Sequence, residues 1–425
     1  MKKILIITYY WPPSSGSGVQ RWLKFSKYLI DYGWKPIIVT PQNPYKALHD
    51  NGLEKNISNK IDVIKFPIWE PYRLKDNLFG KSKKFQTSGI FLNRKSLKNK
   101  LLNWVRGNLF IPDPKKYWVK PTTSNLKSII DEQKIEYIIS TGPPHSMHLI
   151  ALNLKSIYKN IKWIADFRDP WSHLDILKEF KLTRSSFRKH KILENNVIKN
   201  ANIVLTVSES WANDFIKLGA KNVEIIRNGF DEEDFINFKP RATKKFIIGH
   251  FGVMNHLRNP SKLWESLNEL CDDNIEFAEK LEIRLSGNVE DKILDEIRSY
   301  PNLKSKLVVL GFLEHSDVIK EYSIVNLFIL LLFNSKSGQG NYPGKLFEYL
   351  ATKKPIISFG PESSDVKNFF SNGFGFYNSY LTDVQIIKKN ILDIFTNNFE
   401  KRNFDTSIYS RKFLTQRLVK LIEKL

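Results

Sequence analysis

The chain is short of cysteine, of carboxylates and of long apolar runs. A single cysteine, Cys271, in 425 residues excludes an internal disulfide and any multi-cysteine metal site, and it fits a reducing cytosol. Eight scattered histidines show no HExxH or other ligand spacing. No D-x-D triplet occurs, so a metal-held diphosphate lacks its usual pair of carboxylate ligands. No metal and no cofactor is expected. The longest apolar run, Ile324 to Phe333, is interrupted by Asn326 and is half a membrane span at best. The opening MKKILIITYYWPP is too short for a signal-peptide core and reads as a first strand. The expectation is a cytoplasmic chain with no membrane span.

Acidic residues number 44 against 66 Lys and Arg, a net charge of +22. Between Arg73 and Lys127 stand 14 Lys and Arg against Asp76 and Asp113. That segment also holds Phe79, Phe85, Phe91, Trp104, Phe110, Tyr117 and Trp118. Cations interleaved with aromatics suit an anionic membrane surface, and nucleic acid equally; the plain alternative is a solvated basic face. No nucleic-acid motif occurs, so the membrane is favoured, with the chain peripheral on the inner face of the plasma membrane and no nucleic-acid partner. The length fits two domains, each able to bury its own core.

In order, Lys3 to Thr8 reads as a strand, Tyr9 to Gln20 as a loop with Gly16 and Gly18, and Arg21 to Ile30 as a helix with Trp22, Phe25 and Leu29 on one side. Strands follow at Pro36 to Thr40 and Ile61 to Phe66, the start of a doubly wound α/β sheet. Arg21 stands where a third loop glycine would stand, and no acid closes the second strand, so a dehydrogenase fingerprint is poorly matched. Residues 73–127 read as a basic insertion, with an amphipathic helix from Arg94 to Val105. Strands at Tyr137 to Ser140 and Trp163 to Asp166 run into TGPPHSMHL and DFRDPWS. Ligands bind beyond the carboxyl ends of parallel strands, so His145, Asp166, Arg168 and Asp169 should line one rim. For Asp166 and Arg168 an internal ion pair and an acceptor contact stand level; Asp169-Pro170 could simply turn the chain. The polar stretch Asn237 to Lys245 marks the domain boundary, giving 1–238, 239–404 and a closing amphipathic segment 405–425.

The second half repeats the cycle, with strands at Phe246 to His250, Leu281 to Ser286, Leu307 to Leu310 and Ile324 to Leu332. It culminates in SGQGNYPGKLFEYLATKKPIISFGP, Ser337 to Pro361. A glycine-rich loop opening a helix at Gly344 presents free N–H groups to an anion. Lys345 adds charge on the first turn, and Glu348 projects from nearly the same face. An anion site with a carboxylate beside it suits a nucleotide sugar; the plain alternative is a loop and helix with a solvated Glu348.

GKLFEYLATKKPII resembles the donor-site signature of family 4 glycosyltransferases, retaining enzymes built from two Rossmann-like domains facing a cleft (GT-B). TGPPH paired with DFRDPW also resembles a bacterial subgroup of that family whose members build cell-surface polysaccharides. The resemblance implies that Glu348 holds the donor ribose. Gly252, Arg258 and Lys262, in FGVMNHLRNPSK, match the glycine and basic pair that hold the donor diphosphate. It further implies that Phe312 lies by the base, that Gly16 and Gly18 lie near the donor phosphates, that His145 and Asp166 position the acceptor hydroxyl, and that Arg168 and Asp169 bind the acceptor. It implies a C-terminal helix crossing back to the first domain; a lipid-linked saccharide acceptor fits the basic-aromatic segment, because such acceptors carry phosphates in an anionic surface. One departure stands out: eight positions before Glu348, where the family carries another glutamate, this chain has Gly340. Backbone amides of Gly338 to Asn341 are the candidates to replace it. Two other readings remain, a GT-B nucleotide-sugar epimerase or hydrolase and a non-catalytic scaffold of a polysaccharide assembly.

Overall fold

Two parallel sheets carry the chain, one in each of two units, Met1–Arg227 with Lys412–Leu425, and Asn228–Arg411. The computed structural model describes residues 1–14, 17–45, 51–54, 57–71, 97–174, 176–370, 373–399 and 405–425.

The first unit has seven strands: β1 (Lys2–Ile7), β2 (Trp34–Pro41), β3 (Asp62–Phe66), β4 (Tyr137–Gly142), β5 (Lys162–Phe167), β6 (Ile203–Thr206) and β7 (Val223–Ile225). They lie in the order β3-β2-β1-β4-β5-β6-β7, every pair parallel. A parallel sheet is covered on both faces, so its central strands are continuous apolar runs; Ile4, Leu5, Ile6 and Ile7 are all fully buried. Chain direction across the sheet reverses between β1 and β4, which puts a ligand crevice at their carboxyl ends. The last helix, Arg411–Glu423, buries Leu414, Leu418 and Ile422 in the same core as Ile4, Ile6 and Trp22. Their spacing of four makes one helical stripe.

The second unit has β8 (Phe246–Phe251), β9 (Leu281–Ser286), β10 (Leu307–Gly311), β11 (Leu327–Leu331), β12 (Ile356–Gly360) and β13 (Gly375–Ser379). The order β10-β9-β8-β11-β12-β13 repeats the plan, again parallel. Its switch point lies between β8 and β11.

The division falls after Arg227 rather than after Phe238, and the second unit runs on to Arg411 rather than to 404. The reason is local pairing. Phe230 N donates to Tyr409 O and Arg411 N donates to Phe230 O, at 3.2 and 2.8 Å, and Asn228 Nδ2 donates to Tyr342 O. Within the insertion, the described helix is Leu97–Leu109; Arg94, Phe79, Phe85 and Phe91 lie outside the described residues. Asp113 anchors the segment by accepting from Ser146 N and Ser146 Oγ, each at 2.9 Å. Among the described residues no helix is long and apolar enough to cross a membrane.

Candidate active site

Ladder pairing between β8 and β11 ends at Gly249↔Phe328. Beyond it, side chains satisfy the backbone. Ile329 O is bonded to His250 Nδ1 at 3.0 Å, and Phe251 N donates to the Tyr349 hydroxyl at 3.3 Å. A carbonyl only accepts, so Nδ1 carries the hydrogen and Nε2 is bare in the neutral ring. This is the end of the sheet where the fold leaves room for a ligand.

Around that point the residues converge as charges. The helix Gly344–Ala351 starts without a side-chain cap, so its first N–H groups and its dipole are available to an anion. The Lys345 side chain arches over the loop after β8, its Cε 3.2 Å from where a Cβ on Gly252 would stand. Burial lowers the Lys345 pKa, and Glu348 offsets part of that. The Arg258 guanidinium lies 3.8 Å from the Phe333 ring centre, with Nε buried and unpartnered among the described residues. Burial pulls Arg258 down to about 10, against the pull of Tyr380. It stays a cation at neutral pH.

Glu348 is held at both oxygens. Oε1 lies 3.3 Å from His315 Nε2, and Oε2 accepts from the Tyr322 hydroxyl at 2.8 Å. Burial raises its pKa, but His315, Lys345 and Tyr322 outweigh that and hold it at about 2. A carboxylate has roughly four lone-pair directions, so two remain, the number a ribose diol would use. Reading the sequence does not single out His315 and Tyr322. They sit seven apart at the ends of the helix His315–Tyr322, two turns on one face, and that spacing is the available signal. Phe312 follows β10 with 55% of its surface exposed, an apolar plate suited to a base. Gly344 has open space where a Cβ would be.

Lys262 does not join this group. Its ammonium pairs with Glu265 at 3.1 Å on an exposed face. The next two residues, Leu263 and Trp264, are fully buried, and helical geometry turns position 262 outward. Gly338 N and Asn341 N, at the two ends of the turn Lys336–Gly340, are already spent: Gly338 N donates to Ser335 O and Asn341 N to Gly338 O.

In the first unit Asp166 is fully buried and saturated. It accepts from Arg21 Nη2 at 2.8 Å and Nε at 3.1 Å, Trp22 Nε1 at 2.7 Å and Thr141 Oγ1 at 2.9 Å. Burial raises its pKa, and the Arg21 charge and hydrogen bonds more than reverse that. With four donors on two oxygens, Asp166 has no lone pair to offer an acceptor, and its ion-pair partner is Arg21, not Arg168. Arg168 instead donates from Nη2 to Pro143 O at 2.6 Å, and its Nη1 is 2.7 Å from where a Cβ on Gly18 would stand. Arg168 and Gly18 are thus brought together at the start of the helix Ser17–Leu29; Gly16 lies outside the described residues. Asp169 is partly buried; burial raises its pKa and Arg168 offsets part.

His145 is buried and stacked flat on Trp171, ring centres 4.8 Å apart and 2° between planes. Neither ring nitrogen has a hydrogen-bond partner of good geometry among the described residues. Burial, then the neighbouring His148, hold it well below its ordinary pKa, with only a weak opposing pull from the Pro170 backbone, so the ring is neutral. His148 Nδ1 is 2.8 Å from Ser140 Oγ, which accepts from Trp163 Nε1. Both rings crowd Gly142, with His148 Nε2 and His145 Nδ1 at 2.6 and 2.8 Å from a built Cβ. Among the described residues no group of three or more His, Cys, Asp or Glu is placed to hold a metal ion.

Residues 18–234 match the model of Glycosyltransferase Family 4, a span of half the chain. No curated protein matches it in sequence. Solved structures share the fold at low identity. Sucrose-phosphate synthase from Thermosynechococcus elongatus is 11% identical, with 100% of this chain and 99% of that one covered and a TM-score of 0.66. A mutant of S. aureus TarM, solved with Fondaparinux, alpha-GlcNAc-glycerol and UDP, is 15% identical over 100% and 97%, with a TM-score of 0.59. The lipopolysaccharide outer core galactosyltransferase WaaB is 10% identical over 100% of each chain, with a TM-score of 0.57.

Proposed function

The chain belongs to glycosyltransferase family 4, and from that premise we propose that it moves a sugar from a nucleoside-diphosphate donor to a lipid-linked saccharide acceptor, with retention at the anomeric carbon. The observation that carries the donor reading is Glu348, ionised and pinned by His315 and Tyr322 with two lone pairs to spare, beside Lys345 and an uncapped helix start. Arg258 and Lys345 neutralise the charge that grows on the diphosphate as the glycosidic bond breaks. Preorganised cations in a water-poor site are worth most at that moment. On the first unit, Arg168 is the group for an acceptor anion and Asp169 for its hydroxyls; the neutral ring of His145 packs behind them. No nucleophile is assigned.

The test is a thermal-shift panel of UDP, GDP, dTDP and CMP with their sugars. A ligand that binds only the native state raises the melting temperature. One nucleoside diphosphate and its sugar should stabilise the protein, and the same sugar nucleotide should lose its sugar to extracts of lipid-linked saccharide. Absence of any shift in folded protein would sink the donor reading.

A surface of the first unit supports a membrane-bound acceptor. The helices Leu97–Leu109 and Arg184–Asn200 are locked together by Asn108, whose Oδ1 accepts from Thr183 N at 2.8 Å. They expose Leu101, Trp104, Leu109, Phe187 and Ile192 among Lys100, Arg188, Lys189 and Lys191. Alongside, Lys116 lies over Phe110 and Tyr117, and Tyr117 packs edge-on against the exposed Trp69. The one carboxylate of the two helices, Glu194, is buried. Apolar side chains in a field of cations fit an anionic lipid surface. Each surface cation is worth about 1 kcal/mol there. Changing Arg188, Lys189 and Lys191 to Gln together should therefore weaken binding to phosphatidylglycerol-containing vesicles roughly 100-fold, with little change on pure phosphatidylcholine. Equal sedimentation of wild type and variant would remove this face from the proposal.

A further inference from the structure

Resting on the donor-site reading above, we propose that His250 takes up a proton when a diphosphate binds and then donates Nε2–H to a phosphate oxygen. The geometry comes first. His250 is buried on the last turn of β8, and its Nδ1–H is committed to Ile329 O. Its Nε2 has no hydrogen-bond partner of good geometry among the described residues. Nε2 lies 3.5 Å from where a Cβ on Gly252 would stand, and Lys345 Cε lies 3.2 Å from the same point. The imidazole and the ammonium chain thus flank the loop that would receive the diphosphate.

A bare, buried nitrogen facing two cations suits an anion. Burial first, then Lys345 and Arg258, keep its pKa at about 4, against the backbone of Ile329 and, more weakly, of Val253. Among the described residues, the charged groups that act on the ring are Lys345 on the helix Gly344–Ala351 and Arg258 on the turn His256–Arg258, with the Ile329 and Val253 backbones beside it; Tyr349 and Tyr322 pack at the next residue, Phe251. The Tyr349 hydroxyl accepts from Phe251 N and the Tyr322 hydroxyl donates to Glu348; neither makes a hydrogen bond to Nε2. β11 offers only the Ile329 carbonyl. Among the described residues no carboxylate bonds the ring. A diphosphate between Lys345, Arg258 and His250 reverses the sign of the field, and an opposite charge at that range favours the protonated ring. One proton passes from solvent to Nε2, and Nδ1 is unchanged. The free nucleoside diphosphate carries one more negative charge than the sugar nucleotide, so the site gains a cation as the leaving group gains an anion.

The experiment is titration calorimetry of the full chain with UDP, GDP and dTDP, near neutral pH, in two buffers of different ionisation enthalpy. The nucleotide that binds should bring uptake approaching one proton beyond the nucleotide's own titration. His250→Asn keeps an amide N–H for Ile329 O and removes the titrating nitrogen, so the uptake should vanish and affinity should stop rising as pH falls. His250→Gln, with an amide N–H near the Nε2 position, should bind without uptake. Binding with identical uptake in wild type and His250→Asn overturns the inference and leaves the donor site standing. Failure of all three nucleotides to bind wild type overturns the donor site itself. Should neither variant fold, the ring-nitrogen shifts of His250 in wild type decide: an unchanged Nε2 signal at saturation with the nucleotide overturns the proposal.

Discussion

Glu348→Ala is expected to weaken nucleoside-diphosphate binding by about 100-fold or more, while the chain still folds. Hydrogen bonds to a charged acceptor contribute about 1.5–3 kcal/mol each, and two ribose hydroxyls would share the two open lone pairs of Glu348. The sum, about 3–6 kcal/mol, is at least two decades in affinity. Folding should survive because the loss strands two groups, the Tyr322 hydroxyl and the His315 ring, a penalty of about 1–3 kcal/mol each. Calorimetry on wild type and variant reads both quantities, and undiminished nucleotide affinity would remove Glu348 from the ribose. The pH profile carries a second mark of the pair. His315 is lowered by burial but raised further by Glu348, ending above its ordinary 6.5. Its contribution to stability is complete below 6.5 and is lost as pH rises through the raised value. Glu348 sits at about 2 against an ordinary 4.5, so its contribution is present above 4.5 and is lost as pH falls toward 2. Asp234 also raises His315, more weakly than Glu348, so the alanine variant should lose most of the decline on the alkaline side.

The strands were legible because parallel sheets bury both faces, and runs such as Ile4 to Ile7 or Leu327 to Leu331 admit little else. The uncapped helix start at Gly344, with Lys345 and Glu348 one turn apart, was legible for the same reason: all its parts are neighbours in the chain. What failed to show was pairing at long range. Asp166 finds Arg21, 145 positions away, and nothing near DFRDPW announces that partner. Tyr322 and His315 reach Glu348 from 26 and 33 positions off. Lys262 is legible only as a basic residue at the right distance in sequence; its pairing with Glu265 on an exposed face is not. His250 is hidden inside a strand, where alternation alone would make it a core residue. Only the end of the β8–β11 ladder gives its nitrogens a task.

Asp166→Ala should cost the first unit about 3–5 kcal/mol, the usual penalty for removing one partner of a buried ion pair. Arg21 has no route to water: its side chain and that of Asp166 are both fully buried. It would keep its bond to Arg227 O, a neutral acceptor and no substitute for a carboxylate. Trp22 Nε1 and Thr141 Oγ1 would lose their acceptor as well. The double change Arg21→Met with Asp166→Leu removes both charges, and such replacements are often neutral or stabilising, so it should recover much of the loss. Because the two units have separate cores, unfolding of the whole chain need not be two-state. Urea unfolding should therefore be followed at Trp22 or Trp163, buried in the first unit, and separately at Trp264 in the second; only the first signal should move. Acid should mimic the substitution. The folded pKa of Asp166 is depressed below its ordinary 3.8, so its contribution holds above that value and is lost as pH falls through the depressed one. An Asp166→Ala protein with wild-type stability and no transfer would return this carboxylate to the reacting groups. A destabilised protein whose residual folded fraction still transfers sugar would fix Asp166 as the brace that holds the helix after β1 against the ends of β4 and β5.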